Sequence, residues 1–406
     1  LILEKHNQLE KRLNLNYALI QGVDTLFYCS IFSFASVFLL SRSFSNTQVG
    51  LTLTLASAFG LIVSPLVASF ADKTTKLSLR SLVAILLGGV ALFSMLLLLT
   101  PSLVVPTAIL FIMLMVVFST QVSLITSLAM EHINNGVNVN YSLARGIGSF
   151  AYAVLSILLG YLVKDLGTNV ILLITIGLSF ITIILVLIFP KPEVRSSADK
   201  KTDQQASGLI DFFKKNKRFM GVVGCVALIF FSHSFISTYM IQILKHAGGD
   251  SADMGVANAI AAFLELPAMA LFPFFLKKIK NAGTALKFAG VFFVIKAAVT
   301  TLAPSIIWID AAQVLQFFAY AVITPASVYY VNQRVSAEDK VKGQTIMGMS
   351  MGITGLVANF LGGVILDSSG GVPLMMMVGT AISLIGLVLL VFIDRGPNLV
   401  IEGNTL

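Results

Sequence analysis

The chain has 406 residues, 57% of hydrophobic type and only 11% charged, with a mean hydropathy of +0.92 and a formal net charge of +8. An ordinary soluble chain is about 25% charged and about 45–50% apolar, so this composition excludes a soluble enzyme, a disordered chain and a disulfide scaffold. The apolar residues come in long continuous runs rather than in dyad alternation, which points to a polytopic α-helical membrane protein and away from a membrane β-barrel.

In chain order, the opening stretch LILEKHNQLEKRLNLN is polar and mixed in charge and does not read as a signal peptide. Apolar runs then predict membrane spans at roughly 14–41, 47–71, 78–100, 103–130, 141–163 and 168–190. The longest polar stretch, KPEVRSSADKKTDQQASGLIDFFKKNKR, follows and reads as a linker over 191–218. Its LIDFFKKNKRF end has the character of a short amphipathic helix at a membrane surface. Further spans are predicted at 219–244, 252–276, 283–303, 306–330, 342–366 and 370–393. The expected organisation is an N-terminal six-helix bundle over 1–190, the linker, and a C-terminal six-helix bundle over 219–406. Cys29 and Cys225 both lie inside spans and suggest neither a disulfide nor a metal site.

The basic residues sort by side. With both termini on one side, 21 of the 27 Lys and Arg residues fall there and only Arg42, Lys164 and Lys245 fall opposite. Positive loops mark the cytoplasm, so both termini and the linker are expected to be cytoplasmic. The linker's basic residues are offset by Glu193, Asp199, Asp203 and Asp211, and no nucleic-acid partner is expected. Lys287 sits at a helix start and can reach the interface along its own stem. That leaves Arg145 and Lys296 deep within spans.

Charges at membrane depth face partners or aqueous cavities and are functional by default. Each half carries one deep acid and one deep base: Asp24 with Arg145, and Glu265 with Lys296. Two facing pairs are expected, because pairing offsets desolvation. Glu131 and Asp310 read as interfacial. On span five, Tyr141, Arg145, Gly148 and Tyr152 recur at helical spacing and share a face. An Arg fork holds hydroxyls or carboxylates, and an aromatic plate suits the C–H face of a sugar. Span ten offers a polar stripe of Asp310, Gln313, Gln316 and Tyr320. Gln121, His233 and Asn359 read mainly as interhelical hydrogen-bond glue. Pro267 is expected to loosen span eight. The glycines of span eleven permit close approach or sliding. No Walker A, CxxC pair, HExxH or GxSxG motif is present, so ATP-driven transport has no support and no cofactor or metal is expected.

Twelve spans in two halves around a cytoplasmic linker resemble the major facilitator superfamily. The loop after span two, LVASFADKTTK, resembles its G-x-x-x-D-[RK]-x-G-[RK]-[RK] signature through Asp72 and Lys73, which the resemblance makes gating residues; Ala68 stands where Gly is usual. YSLARGIGSFAY, ELPAMALFP, AGVFFVIK and LGGVILDSSG are similar to segments of the lactose permease branch, the oligosaccharide:proton symporters. That resemblance implies sugar contacts by Arg145 and Glu265, stacking by Tyr152, and a basic residue of the proton site at Lys296. The span-four carboxylate of that branch falls at Ser127, and its span-ten His and Glu fall at Gln316 and Ala319.

The resulting expectation is an all-α polytopic membrane protein of twelve transmembrane helices in two pseudo-symmetric six-helix bundles, the major facilitator fold. It is not an enzyme. It takes up a sugar or related polyhydroxylated solute with protons by alternating access. Substrate contacts are assigned to Arg145, Tyr152, Glu265, Asp24, Gln316 and Tyr320, and proton coupling to Glu265, Asp24 and Lys296. Its partners are the solute, protons and the lipid bilayer; it is expected to act as a monomer in the bacterial cytoplasmic membrane. A proton-coupled drug or lipid exporter and an uncoupled sugar uniporter are the alternatives.

Overall fold

The computed structural model describes residues 2–74, 77–134, 141–190, 209–279 and 281–394, with the backbone alone at 2–11, 72, 129–134, 141–146, 209, 210 and 337. Every regular element among them is helical. Eleven helices are long and apolar enough to cross a membrane, and a further bent pair brings the number to twelve if it forms one span.

The chain divides into two compact units. The first contains residues 1–198 and 249–262. Its helices are α1 (Ile2–Phe27), α2 (Ala35–Ser41), α3 (Asn46–Lys73), α4 (Leu79–Leu99), α5 (Val104–Asn134), α6 (Tyr141–Leu166) and α7 (Asn169–Ile188). A π-helical segment, Tyr28–Ser33, joins α1 to α2 and the span bends there by 42°. Local chemistry sets the helix starts. Ser45 accepts from Gln48 N while Gln48 Oε1 accepts from Ser45 N, a reciprocal cap that opens α3. Ser78 Oγ accepts from Ser81 N at the start of α4. The main packing pairs are α4 with α7, α1 with α6, and α5 with both α3 and α4.

The second unit contains residues 199–248 and 263–406. It comprises α8 (Leu209–Lys215), α9 (Lys217–Thr238), α10 (Met240–His246), the later part of α11 (Ser251–Ile279), α12 (Ala282–Thr301), α13 (Ile306–Val314), α14 (Tyr320–Arg334), α15 (Lys340–Asp367) and α16 (Gly371–Ile393). Helix α9 packs on α16 and α15, and α12 packs on α16 and α14. Phe219, Phe272, Phe293 and Tyr330 anchor its core. Small residues make the contacts close. A Cβ built at Gly386 would lie 2.8 Å from the backbone nitrogen of Ile229. In the glycine-rich α15, Gly362 lies against Tyr239, whereas no neighbour lies within 4 Å of a Cβ at Gly348, Gly352 or Gly355.

The linker-based division over 1–190 and 219–406 differs from these units in one respect. Residues 249–262, the first turns of α11, group with the first unit. The cause is backbone contact with α6: a Cβ at Gly160 would lie 2.6 Å from the carbonyl oxygen of Ser251, and Ser251 Oγ donates to Gly160 O at 3.0 Å. Helix α11 continues through Pro267 and Pro273 without interruption, so Pro267 does not break it. Large apolar side chains such as Ile62, Leu66, Phe180, Ile184 and Phe274 are exposed. In a soluble protein such a surface would drive association; in a bilayer it is the expected lipid-facing layer.

Candidate functional site

Each unit holds a polar centre at membrane depth that contains a carboxylate, Asp24 in the first and the half-buried Glu265 in the second. In the first, Asp24 of α1 is 7% exposed and its Oδ1 accepts from Gln121 Nε2 of α5 at 2.8 Å. Gln121 is itself fully buried. Gln121 was expected to be neutral glue; here it is the amide that satisfies a buried acid, which otherwise could not be kept from water without large cost. At the next residue of α1, Thr25 Oγ1 donates to Gly148 O of α6 at 2.9 Å. A Cβ at Gly148 would lie 2.8 Å from Thr25 Cγ2, so only glycine allows this approach of α1 and α6. Arg145 lies in the first turns of α6, one turn before Gly148; its side chain, like those of Tyr141, Glu131 and Asp72, lies outside the described residues. The expected pairing of Asp24 with Arg145 therefore rests on residues beyond the description. Lys73, the last residue of α3, is exposed.

Tyr152 is partly buried. It packs against Ala153, Ala259 and Ala262, and its hydroxyl lies 2.7 Å from Ser33 Oγ in the π-helical segment. Tyr28, at the start of that segment, stacks on Phe32 with ring centroids 4.8 Å apart and planes 10° apart. It lies 6.4 Å from the Tyr152 ring. Neither Tyr28 nor Phe32 was singled out from the sequence. Helical spacing carried the signal, since Tyr28, the residue after α1, follows Asp24 by four residues.

In the second unit, Lys296 of α12 is 2% exposed and donates to Gln316 Oε1 at 2.6 Å. Gln316 Nε2 donates in turn to Glu265 Oε1 of α11 at 3.1 Å. The expected Glu265–Lys296 pair is thus bridged by a glutamine. The amide presents an acceptor to the ammonium and donors to the carboxylate, a polarity only this orientation satisfies. The stripe expected on span ten is also corrected. Helix α13 ends at Val314, a 3₁₀ turn spans Leu315–Phe317, and α14 begins at Tyr320, so Asp310, Gln313, Gln316 and Tyr320 do not share one continuous α-helix. A 3₁₀ turn within a span often marks a functional hinge. Beside it, His233 of α9 is ringed by Phe230 at 4.8 Å, Tyr320 at 5.1 Å and Phe293 at 5.7 Å. His233 Nδ1 is buried without a hydrogen-bond partner among the described residues. Asn359 does join two helices: its Oδ1 accepts from Thr238 Oγ1 at 2.8 Å, and its carbonyl accepts from the Tyr239 hydroxyl.

Two charged clusters lie outside these centres. Asp394, after α16, is 4% exposed and pairs with Lys287 at 3.1 Å and with Arg334 at 3.4 Å, while the Tyr330 hydroxyl donates to its Oδ1 at 3.2 Å. Lys287 was expected to reach the interface, but it is drawn to this carboxylate. On the first unit, Lys164 pairs with Asp250 at 2.8 Å. Asp250 precedes the first turn of α11, where its Oδ1 accepts from Ala252 N at 2.8 Å and its own N donates to Asp253 Oδ2. The Lys164 ammonium beside Asp250 holds its carboxyl below the usual aspartate range, and the bonds from Ala252 and Asp253 act in the same direction.

The described residues form a multi-pass, helical membrane protein with polar centres inside its helical units, an architecture that transporters use. The sequence model described as the MFS_1 like family matches residues 26–377, and the chain belongs to that family, placing it among major facilitator transporters. No curated protein matches it. Among solved structures, a mutant of the nucleoside transporter NupG superposes with a TM-score of 0.81 at 14% identity, over 94% of this chain and 100% of that one. A bacterial homologue of the iron transporter ferroportin in an inward-facing state gives 0.71 at 15%, over 96% and 99%. A bacterial homolog of the human lysosomal transporter Spinster, inward-facing and unoccupied, gives 0.69 at 14%, over 95% and 97%. At these identities the likeness is one of fold.

Proposed function

We propose that the protein carries a sugar or related polyhydroxylated solute, a nucleoside among the candidates, into the cell together with protons, in the manner of the lactose permease branch. The observation that carries this reading is the repeated arrangement of an acid held by a glutamine amide, buried Asp24 with Gln121 and half-buried Glu265 with Gln316. Carboxylates and amides at membrane depth are suited to hydroxyl-rich solutes, and acids there are suited to carry protons. Arg145, Glu265, Asp24, Gln316 and Tyr320 are the proposed solute contacts, with Tyr152 as part of the aromatic lining. Glu265 and Asp24 are the proposed proton carriers, with Lys296 modulating Glu265. Asp72 and Lys73 are the proposed gate. The similarity to a nucleoside transporter supports a solute with a sugar moiety. The reading includes two six-helix halves divided at 191–218, a monomer, and cytoplasmic termini in a bacterial plasma membrane, the last supported by the distribution of basic residues.

The test is a thermal-shift screen of purified protein against sugars, glycosides, nucleosides and hydrophobic drugs, repeated with Arg145→Ala. The expected result is stabilisation by a hydroxylated solute that the variant loses. Stabilisation by drugs alone would replace the reading with an exporter.

A further inference from the structure

The π-helical segment of the first unit is held in place from two directions. Thr175 Oγ1 of α7 donates to Ser30 Oγ at 3.2 Å, and Ser33 Oγ meets the Tyr152 hydroxyl of α6 at 2.7 Å. A π-turn inserted in a helix is rare and is frequently found at functional sites. Here it has a definite product. Tyr28 and Phe32 are brought into a near-parallel stack at 4.8 Å, and Tyr28 remains 46% exposed.

Tyr28 is not simply a lipid-facing side chain. It follows Asp24 by four residues, so it stands on the same side of α1 as the buried acid. Its ring lies 6.4 Å from Tyr152, which in turn packs on Ala259 and Ala262 of α11. The exposed tyrosine therefore sits where α1, α6 and α11 converge. The two tyrosines differ in what they can offer a solute. Tyr152 has its hydroxyl engaged by Ser33 and its ring packed against alanines. Tyr28 has its ring backed by Phe32 and nearly half of its surface available. A backed, rigid aromatic plate loses little freedom when a solute ring settles on it, and C–H faces of sugars or planar rings suit such a plate.

We infer that Tyr28, mounted on the π-helical segment and backed by Phe32, is the stacking plate for the ring of the transported solute, and that Tyr152 is a positioning residue that fixes the mount through Ser33. This rests on the proposed uptake of a sugar-like solute and changes which residue meets it. Asp24, one turn away on the same side, is then placed to receive the solute's hydroxyls once the ring has stacked.

The chain's only tryptophan, Trp308, lies in the second unit, which makes an optical test practical. In a Trp308→Phe background, Tyr28→Trp and Tyr152→Trp each give a single-tryptophan protein. Galactose, glucose, phenyl glucoside, ribose and uridine are the probes, and acrylamide quenching is the readout. The expected result is that at least one probe shields the reporter at position 28 more than the one at position 152. In the tyrosine protein, Tyr28→Ala should then weaken that probe by about tenfold or more in thermal-shift titration, the usual size of a lost ring contact. Tyr28→Phe should keep the affinity, whereas Ser33→Ala, which cuts the mount's tie to Tyr152, should weaken that probe by a smaller factor than Tyr28→Ala; full affinity in Ser33→Ala would remove Tyr152 from the positioning role. Shielding at position 152 alone, or unchanged affinity in Tyr28→Ala, would overturn this inference and leave the sugar reading standing. Shielding of neither reporter, with no stabilisation of the wild type by any probe, would overturn both.

Discussion

Glu265 and Lys296 are joined end to end through one buried amide, that of Gln316, which accepts from the ammonium and donates to the carboxylate. Two opposite charges thereby share a partner with a fixed polarity. Removing that partner leaves the Lys296 ammonium, 2% exposed, with one fewer acceptor in a medium that cannot supply water. Gln316→Leu is expected to destabilise the protein by about 3 kcal/mol, within the range for breaking a buried charged contact. Gln316→Glu should recover part of this through a direct pair with Lys296 while repelling Glu265. Unfolding in detergent, followed by loss of helical signal, measures both. A change below about 0.5 kcal/mol in Gln316→Leu, the scale of a neutral surface substitution, would show that the bridge contributes nothing.

The proposed proton role of Glu265 can be tested apart from passage of the solute. Glu265→Gln retains an acceptor oxygen for Gln316 but cannot exchange a proton. If Glu265 carries the coupled proton, the variant loses gradient-driven accumulation in proteoliposomes while still exchanging labelled for unlabelled solute. The solute for this assay is whichever one stabilises the purified protein. Full accumulation by Glu265→Gln would remove this residue from the proton role and leave Asp24 as the remaining acid of the proposal.

His233 places stability against function. Its Nδ1 is buried without a hydrogen-bond partner among the described residues, in a ring of Phe230, Phe293 and Tyr320. Replacing an unsatisfied polar group by an apolar one of similar shape is nearly neutral or stabilising. His233→Phe is therefore expected to leave the melting temperature unchanged or raise it. A residue kept at the expense of stability is commonly a functional one, so the same variant should transport more slowly. A clear loss of melting temperature would instead mark His233 as an ordinary packing residue.

The spans and the two families of charged residue were legible in the sequence because they are local properties. Long apolar runs and the clustering of basic loop residues need no knowledge of neighbours. The partners were not legible, because they are properties of the fold. Asp24 and Gln121 lie 97 residues apart, and Glu265 and Gln316 lie 51 apart. The sequence offered charge balance as the guide and so suggested a direct Glu265–Lys296 pair, whereas the Gln316 amide bridges the two. Spacing failed at span ten for a different reason. An α-helical period was extended through Leu315–Phe317, where the backbone tightens to a 3₁₀ turn. The Tyr28–Ser33 segment escaped notice similarly, since a π-turn has no compositional signature, and Asp394, which Lys287, Arg334 and Tyr330 enclose, was not singled out because its partners lie far off in sequence.

Asp250 combines two duties that substitution can separate. Its carbonyl accepts from Met254 N at 3.2 Å and its Oδ1 accepts from Ala252 N, which makes it the cap of α11, while Oδ2 pairs with Lys164 of α6. Asp250→Asn keeps an oxygen for the cap and loses the ion pair; Asp250→Ala loses both. The Ala variant should therefore be the less stable, by about 1 kcal/mol relative to Asn, the usual value of a cap. The pH dependence has a definite sign. The folded carboxyl titrates below its unfolded value, chiefly because Lys164 bonds it. Its contribution is thus present above the ordinary aspartate range and is lost as pH falls through the folded value. Wild type and Asp250→Asn should differ most near neutral pH and converge in acid, and added salt should narrow the gap, since both partners are substantially exposed. Melting temperatures across that pH range measure it. A gap that widened in acid would contradict the assignment of the depressed carboxyl to this pair.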